Sequence, residues 1–171
     1  MSAQLETQWI VGFTDGEGCF NLDVHLHKEM TWGIQMQPEF TVVQAEVDVN
    51  ILHALKDHFG CGTVGVNRRD EYGIRMQFRV KNIKDLHEKI IPFFEQHKLK
   101  TKKRIEFERF RTIVLLMHDG YHRQSLSNFL EIIKQGEQLR ERQRPAKQKK
   151  REKVNLKLAE LRKKLEEDPT L

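Results

Sequence analysis

Two carboxylates near the start of the chain alternate with glycines in a pattern that could hold a metal ion. Residues 12–18 read GFTDGEG, in which Asp15 and Glu17 are each followed by a glycine. A carboxylate at the exposed end of a helix, together with the backbone carbonyl of Gly16, offers the hard oxygen ligands that Mg²⁺ prefers. Such a metal can activate water and stabilise a leaving oxygen at a scissile phosphate. Acid–glycine pairs are also ordinary turns, so the run by itself also fits a helix that turns into a strand.

The residues before these acids predict a helix whose exposed face could meet a second copy. Apolar residues at helical spacing indicate a helix over residues 5–17. Two glycines on one face of this helix, four residues apart, would let two such helices approach closely. The run occurs once in the chain. Chemistry at two phosphates, one on each strand of a duplex nucleic acid, would need two acidic helix ends, so we expect a two-fold homodimer. The predicted dimer interface consists of Trp9, Gly12, Phe13 and Gly16.

A lysine-rich segment offers cations for phosphate chemistry. Residues 98–103 read KLKTKK and directly precede a predicted helix. A lysine here could stabilise the transition state of phosphoryl transfer, or the segment could simply bind backbone phosphates. Both alternatives require a nucleic acid as partner.

The run at residues 9–18, WIVGFTDGEG, resembles the motif of the LAGLIDADG homing endonuclease family. The predicted order of elements from residue 5 to about residue 143 is similar to that family's domain. The resemblance implies that Glu17 and the Gly16 carbonyl bind the metal. Asp15 is expected to make structural hydrogen bonds instead.

The resemblance also implies two further catalytic residues. Lys100 would project into the active site and stabilise the phosphoryl transition state, and Gln44, at the end of the second strand, would order water. One departure is clear, because the family often has a basic residue shortly after this glutamine, whereas residues 45–48 read AEVD. We expect Arg75 or another arginine to take that role.

Four segments with alternating polar and apolar residues predict the strands that position these groups. The strands are expected at residues 20–27, at residues 34–42 with the strand ending at Gln44, and at residues 63–67 and 72–81. Period two means that one face of the sheet is buried and the other wet. Helices are expected over residues 49–59, from Asn82 to residue 94 or beyond with Pro92 as a kink or end, and over residues 102–118 and 125–143. Hairpins with helices on one face make an α+β fold. The resemblance implies an αββαββα domain with an antiparallel, saddle-shaped sheet and additional C-terminal helices.

Hydrogen-bonding side chains are concentrated on the wet face of these strands, as expected of a surface that reads DNA bases. Glutamine and asparagine can pair with adenine, arginine with guanine, and acids with cytosine. An ordinary solvated face is the alternative, since antiparallel sheets commonly keep one wet side. Arg68 and Arg69 are expected in a hairpin loop over residues 68–71, where they would contact phosphates or outer bases. The predicted DNA-binding residues are Asn21, Asp23, His25, His27, Gln35, Gln37, Glu39, Asn67, Arg68, Arg69, Arg75, Gln77 and Arg79.

Composition and charge favour a nucleic-acid partner and argue against several other classes of protein. The 30 Lys and Arg residues outnumber the 25 Asp and Glu residues, for a net charge of +5, which suits a polyanionic partner. Cys19 and Cys61 form no CxxC pair, so neither a zinc knuckle nor a disulfide framework is indicated. No apolar run is long enough to span a membrane. We therefore expect no membrane partner and no small-molecule substrate.

Two segments of different character divide the chain. Residues 1–143 are expected to form the endonuclease domain, and residues 144–171 a basic C-terminal tail. A solvated tail is one alternative; the other is an amphipathic helix that touches DNA or the partner subunit. The apolar residues that would form its buried face are Val154, Leu158, Leu161 and Leu165.

The leading hypothesis is a homodimeric, site-specific endonuclease that cuts both strands of a long pseudo-palindromic double-stranded DNA target. Its cofactor would be Mg²⁺, with Mn²⁺ as a substitute and Ca²⁺ supporting binding without cleavage. The chain has no recognisable signal or transit peptide, so we expect it to work where it is made. The resemblance implies a gene inside an organelle intron, in a chloroplast in preference to a mitochondrion. An RNA maturase or a DNA-binding regulator without cleavage is the alternative, and an α+β interaction domain that binds no specific DNA is a third.

Overall fold

The computed structural model describes residues 5–140 and 148–171 of the chain. Helix α1 leads into strands β1 and β2, and a short 3₁₀ turn, Glu46–Asp48, then leads into α2. Strands β3 and β4 follow, and the remaining elements are helical. The bounds are α1 Thr7–Glu17, β1 Gly18–Leu26, β2 Ile34–Ala45, α2 Val49–Phe59, β3 Thr63–Asp70, β4 Gly73–Val80, α3 Ile83–Asp85, α4 Ile91–Gln96, α5 Lys103–His118, α6 Leu126–Arg140 and α7 Gln148–Glu167.

The four strands form one antiparallel sheet in the order β1-β2-β4-β3. Alternate residues of β1 and β2 are buried, as period-two patterning predicts. Phe20, Phe40 and Phe78 are fully buried and face the helices. Phe20 contacts the rings of Phe107 and Phe110, which α5 contributes to the same core. The helices therefore cover one face of the sheet and the other carries polar side chains, which confirms the predicted α+β architecture.

Local signals fix the ends of several helices. Gly60 follows α2 with φ +58°, the left-handed conformation in which glycine ends helices readily. Asn82 caps α3, since its Oδ1 accepts hydrogen bonds from the backbone N–H groups of Lys84 and Asp85. These two ends lie where the sequence predicts them.

Pro92 does not end its helical segment. A π-helical turn, Leu86–Ile90, directly precedes α4, in which Pro92 occupies the first turn. Proline lacks an N–H group and crowds a carbonyl of the preceding turn in a regular α-helix. The wider π-helical turn removes that constraint, so the helix continues to Gln96.

The hairpin between β3 and β4 is tighter than predicted. Strand β3 continues through Asp70, which pairs with Gly73, so only Glu71 and Tyr72 form the turn. The predicted loop over residues 68–71 is therefore wrong. Arg68 and Arg69 are strand residues next to the hairpin tip, because cross-strand pairing extends over them.

Helix α7 covers most of the predicted tail and packs against α6 and β1. Val154, Leu158 and Leu161 are buried, and Leu165 packs against the same core. The predicted boundary at residues 143–144 lies outside the described residues. Within residues 5–140 and 148–171, no helix is both long and apolar enough to cross a membrane.

Candidate active site and polar sheet face

The end of α1 presents Glu17 at an exposed corner where the helix passes directly into β1. The Gly18 N–H donates to the Thr14 carbonyl, which closes the last turn. A Cβ atom on Gly18 would lie 2.6 Å from Thr14 Cγ2 and 2.7 Å from the Thr14 carbonyl oxygen. Only glycine therefore permits this direct connection. Gly16 and Glu17 are exposed immediately before it.

Asp15 fastens the lysine-rich segment to the same helix end. Its carboxylate accepts hydrogen bonds from the backbone N–H of Lys100 at 2.8 Å and of Thr101 at 3.2 Å. The Thr101 hydroxyl donates a third bond at 2.8 Å. Two residues separated by 85 positions in sequence, Asp15 and Lys100, are thus held together, and Glu17 follows Asp15 by two residues. Thr101 has no signal of its own in the sequence other than its position next to Lys100.

The donor set at this corner fits a divalent cation. The last turn of α1 contains no basic residue, and the C-terminal end of a helix carries partial negative charge that favours a cation. The Glu17 carboxylate and the Gly16 carbonyl are hard oxygen donors. In the part of the chain that the structure describes, no three His, Cys, Asp or Glu side chains group together as ligands. Further oxygens would have to come from DNA phosphates, water or a second copy.

Gln44 and Arg75 lie at the same end of the sheet but on different faces. Gly18 pairs with Val42, so α1 ends close to the last residues of β2. Gln44 pairs with Met76 and therefore shares its face, not the polar one. Arg75 pairs with Ala45 and lies on the polar face.

The polar residues of β1 and β2 share one face and meet in cross-strand pairs. His25 links two of them, because its Nδ1 lies 3.2 Å from Asp23 Oδ2 and its Nε2 lies 3.1 Å from Gln35 Oε1. His27 follows the end of β1, and its Nδ1 is buried. The pairs are Asn21 with Glu39, Asp23 with Gln37 and His25 with Gln35.

A β-bulge in β3 brings two neighbouring residues onto the polar face. Val66 and Arg68 pair with successive residues of β4, which leaves Asn67 as the extra residue. Asn67 Nδ2 donates to Gln77 Oε1 at 2.8 Å. Arg68 lies directly opposite Arg75, and the Asp70 carboxylate offsets these like charges, since its Oδ2 accepts a hydrogen bond from Arg68 Nε at 2.7 Å. The bulge therefore adds an amide and a guanidinium to the polar face.

Arg69 differs from the other predicted DNA-binding residues. It pairs with Ile74, so its side chain leaves the sheet on the face opposite to that of Arg68. It is exposed beside the hairpin tip. A contact with DNA would therefore have to reach around the strand edge.

The ammonium of Lys103 lies near the start of β1, close to Cys19 and Glu106. Burial raises the pKa of the Cys19 thiol, and the ammonium of Lys103 opposes that shift. Lys103 Nζ lies 3.5 Å from Glu106 Oε2. Lys103 therefore places a positive charge close to the beginning of β1, two residues beyond Thr101.

One face of α1 has no neighbour within the described chain. Trp9 is 41% exposed and stacks on Phe13 at a ring-centroid distance of 4.5 Å. A Cβ atom added to Gly12 or Gly16 would meet nothing within 4 Å. Packing inside one chain therefore gives no reason for glycine at these two positions.

Comparison with known sequences shows which family the chain belongs to. A family model described as LAGLIDADG endonuclease matches residues 10–114. The Schizosaccharomyces pombe protein named "Probable intron-encoded endonuclease Cox1-I1b" is 31% identical over 67% of this chain, a match that covers 28% of the relative. The chain spans between 28% and 35% of the length of the first curated relatives that it matches.

Solved structures share the fold. The crystal structure of the homing endonuclease I-TnaI matches with a TM-score of 0.78 at 35% identity, over 93% of this chain and 99% of that one. I-SmaMI, bound to an uncleaved DNA target in the presence of calcium ions, matches with a TM-score of 0.69 at 27% identity. That match covers 77% of this chain and 43% of the I-SmaMI chain. The chain belongs to the LAGLIDADG endonuclease family.

Proposed function

We propose that this chain is a site-specific, metal-dependent DNA endonuclease that cuts both strands of its target as a homodimer. The observation that carries the proposal is the junction of α1 with the lysine-rich segment, where Asp15 holds Lys100 beside the helix end that bears Glu17. An exposed carboxylate and an exposed lysine at one corner suit hydrolysis of a phosphodiester bond.

The polar face of the sheet would bind double-stranded DNA. It offers amide, carboxylate, imidazole and guanidinium groups, which together can recognise the major-groove edges of all four bases. Strand β1 has 9 residues, and a strand of that length spans about 30 Å. At ~3.4 Å per base pair, one subunit would read about eight or nine base pairs, and a dimer roughly twice that number. Arg68 and Arg75 would contact phosphates.

The chain's own groups would divide the chemistry between them. Glu17 and the Gly16 carbonyl would hold the cation, which supplies an activated water and charge neutralisation at the scissile phosphate. The Lys100 ammonium would stabilise charge that develops on the phosphoryl oxygens. Gln44 is the next-to-last residue of β2 and lies on the face opposite the polar one, so its side chain would have to reach around the end of the sheet to orient water.

The metal is proposed to be Mg²⁺, with Mn²⁺ as a substitute. Oxygen donors without sulfur or clustered imidazole suit these hard ions. I-SmaMI was captured on uncleaved DNA with calcium ions, which supports the proposal that Ca²⁺ permits binding without cleavage here as well.

A homodimer would explain the unpartnered face of α1. Gly12 and Gly16 leave open space beside the helix, and a second α1 could enter it and cover Trp9 and Phe13. Two-fold symmetry would then place two Glu17 carboxylates near the axis, one for each DNA strand. The resulting target would be pseudo-palindromic.

We also infer that the gene lies in an intron, as the name of the S. pombe relative states for that protein. An organelle genome is the proposed setting, and its assignment to the chloroplast stays a prediction of the sequence. The test is to insert candidate target sites in a reporter and to ask which intron-free allele the protein cuts.

The decisive experiment compares the natural chain with Glu17→Gln on DNA selected from a randomised library in Ca²⁺. After transfer to Mg²⁺, we expect the natural chain to cut both strands. Glu17→Gln should bind the same site but cut at least roughly 100-fold more slowly, since a metal contributes several kcal/mol to such reactions. Glu88→Gln removes the same charge from an exposed helical position and should cut normally.

Other outcomes would point elsewhere. Specific binding by all three proteins with no cleavage would favour a DNA-binding regulator. Selection of no DNA site, together with promotion of intron splicing, would favour an RNA maturase.

A further inference from the structure

Glu39 lies at the centre of a charged cluster on the polar face. Its Oε1 accepts a hydrogen bond from Asn21 Nδ2 at 3.2 Å. Its Oε2 lies 3.8 Å from both Arg79 Nη1 and Lys81 Nζ. We refer to these four residues as the Glu39 cluster. One carboxylate oxygen therefore accepts a hydrogen bond inside the protein, and the other lies within ion-pair distance of two cations.

The strand register builds this cluster. Continued one residue past the last β2–β4 pair, the register sets Lys81 opposite Glu39. Arg79 lies on the same face, two residues along β4. Gln37 Nε2 donates to the Lys81 carbonyl oxygen at 3.0 Å, which fixes the backbone where β4 ends. The cluster is thus held by backbone pairing as well as by its own charges.

The carboxylate of the Glu39 cluster is less exposed to solvent than its two cations, which indicates different roles for them. The Glu39 side chain is 16% exposed, whereas those of Arg79 and Lys81 are 36% and 40% exposed. The carboxylate therefore lies beneath two cations that reach outward. A carboxylate that reads cytosine must present a free oxygen to the base edge, which Glu39 does not.

Resting on the proposed DNA-binding function, we propose that Glu39 is a positioning residue that sets base specificity by holding Arg79 for one guanine. A restrained guanidinium loses less conformational freedom when it binds a base. It is also less available to neighbouring phosphates, whose contacts carry no sequence information. Glu39 thereby directs the Arg79 guanidinium to a base edge instead of to phosphates. Lys81 also pairs with the Glu39 carboxylate, so the net charge of the Glu39 cluster stays positive.

The test measures base preference instead of affinity alone. The full-length chain selects its site from a randomised DNA library in Ca²⁺, and dissociation constants are then measured on that site and on every single-base variant of it. The compared proteins are the natural chain, Glu39→Gln, Arg79→Ala and Glu29→Gln. Glu29 is exposed in the β1–β2 turn, so its substitution alters the net charge equally outside the cluster.

We expect Arg79→Ala to abolish the preference for guanine at one position in each half-site. Glu39→Gln should reduce the preference at that same position roughly fivefold or more, a sizeable part of what one bidentate arginine contact contributes. Its affinity for random DNA should stay equal or rise, because a negative charge is lost. Glu29→Gln should leave every base preference unchanged. If Glu39→Gln does not fold, Glu39→Asp, which keeps the charge but withdraws the carboxylate, should give the same profile.

Two results would overturn the inference. One is a Glu39→Gln profile identical to that of the natural chain, and the other is an equal loss of affinity on all sequences, which indicates a purely structural role. Failure of the natural chain to select any site would instead overturn the proposed function, so the two failures are distinguishable.

Discussion

Asp15 cannot become an asparagine without losing a hydrogen bond, because three donors converge on its two carboxylate oxygens. An amide keeps one acceptor oxygen and presents N–H groups to the remaining donors. We expect Asp15→Asn to loosen the segment that carries Lys100 and to slow cleavage by about 10- to 100-fold, as misplaced catalytic groups do. The measurement is single-turnover cleavage in Mg²⁺ beside binding in Ca²⁺, which should be unchanged.

A titration with Mg²⁺ distinguishes this positioning role from direct metal binding. If Asp15 bound the cation, high Mg²⁺ would restore the rate of Asp15→Asn. If it positions Lys100, the lower rate should persist at saturating metal. Thr101→Val, which removes one of the three bonds, should fall between the natural chain and Asp15→Asn.

At the residue scale, local sequence patterns predicted the chemical group that a residue contributes, but not the residues that it contacts in the fold. The acidic run indicated Glu17 as a metal ligand, whereas the lysine-rich segment indicated only a group of cations, and the resemblance to the family selected Lys100 among them. The bond from Thr101 to Asp15 spans 86 positions in sequence, and no local pattern encodes it. Likewise, alternation placed Glu39 on the polar face, whereas its engagement with two cations depends on strand register.

At the element scale, the passage from α1 into β1 depends on Gly18. A Cβ atom there would lie 2.7 Å from a backbone oxygen of Thr14, which cannot move without distorting the helix. We expect Gly18→Ala to lower the free energy of unfolding by about 1–3 kcal/mol, the usual range for overpacking, as measured by urea denaturation. Gly65→Ala is the control, because its Cβ would meet nothing within 4 Å, and an equal effect of both substitutions would contradict the steric argument.

Periodicity predicted the helices and strands well because each has one buried face, but it could not place irregular elements. The extra residue in β3 and the π-helical turn before α4 each satisfy a tertiary constraint, namely pairing with β4 and the accommodation of Pro92. Strand β3 is an example. Its last residues are polar and resemble a loop in the sequence, although they continue the pairing with β4. The order and type of the main elements followed from the sequence, and the exact strand ends did not.

At the scale of the whole molecule, a substitution at Gly12 tests assembly without disturbing the fold, because open space lies beside this residue. A Cβ atom added there meets nothing within 4 Å among the described residues. Glycine is less favourable than alanine in a helix by about 0.8–1.0 kcal/mol, and leucine ranks close to alanine. We therefore expect Gly12→Leu to fold as well as the natural chain and to sediment as a monomer at concentrations where we expect the natural chain to be a dimer. Gln138→Leu, an equally exposed helical position, should remain dimeric.

The proposed two-fold symmetry determines how Gly12→Leu should act on DNA. A monomer holds one acidic helix end and one polar sheet, so Gly12→Leu should bind half of the selected site weakly and should not break both strands of the whole site. Loss of folding, shown by circular dichroism, would mean that the glycine serves the chain itself. A dimeric Gly12→Leu that cuts at the natural rate would mean that the two chains meet elsewhere. A monomeric natural chain that cuts both strands would remove the need for a second acidic helix end.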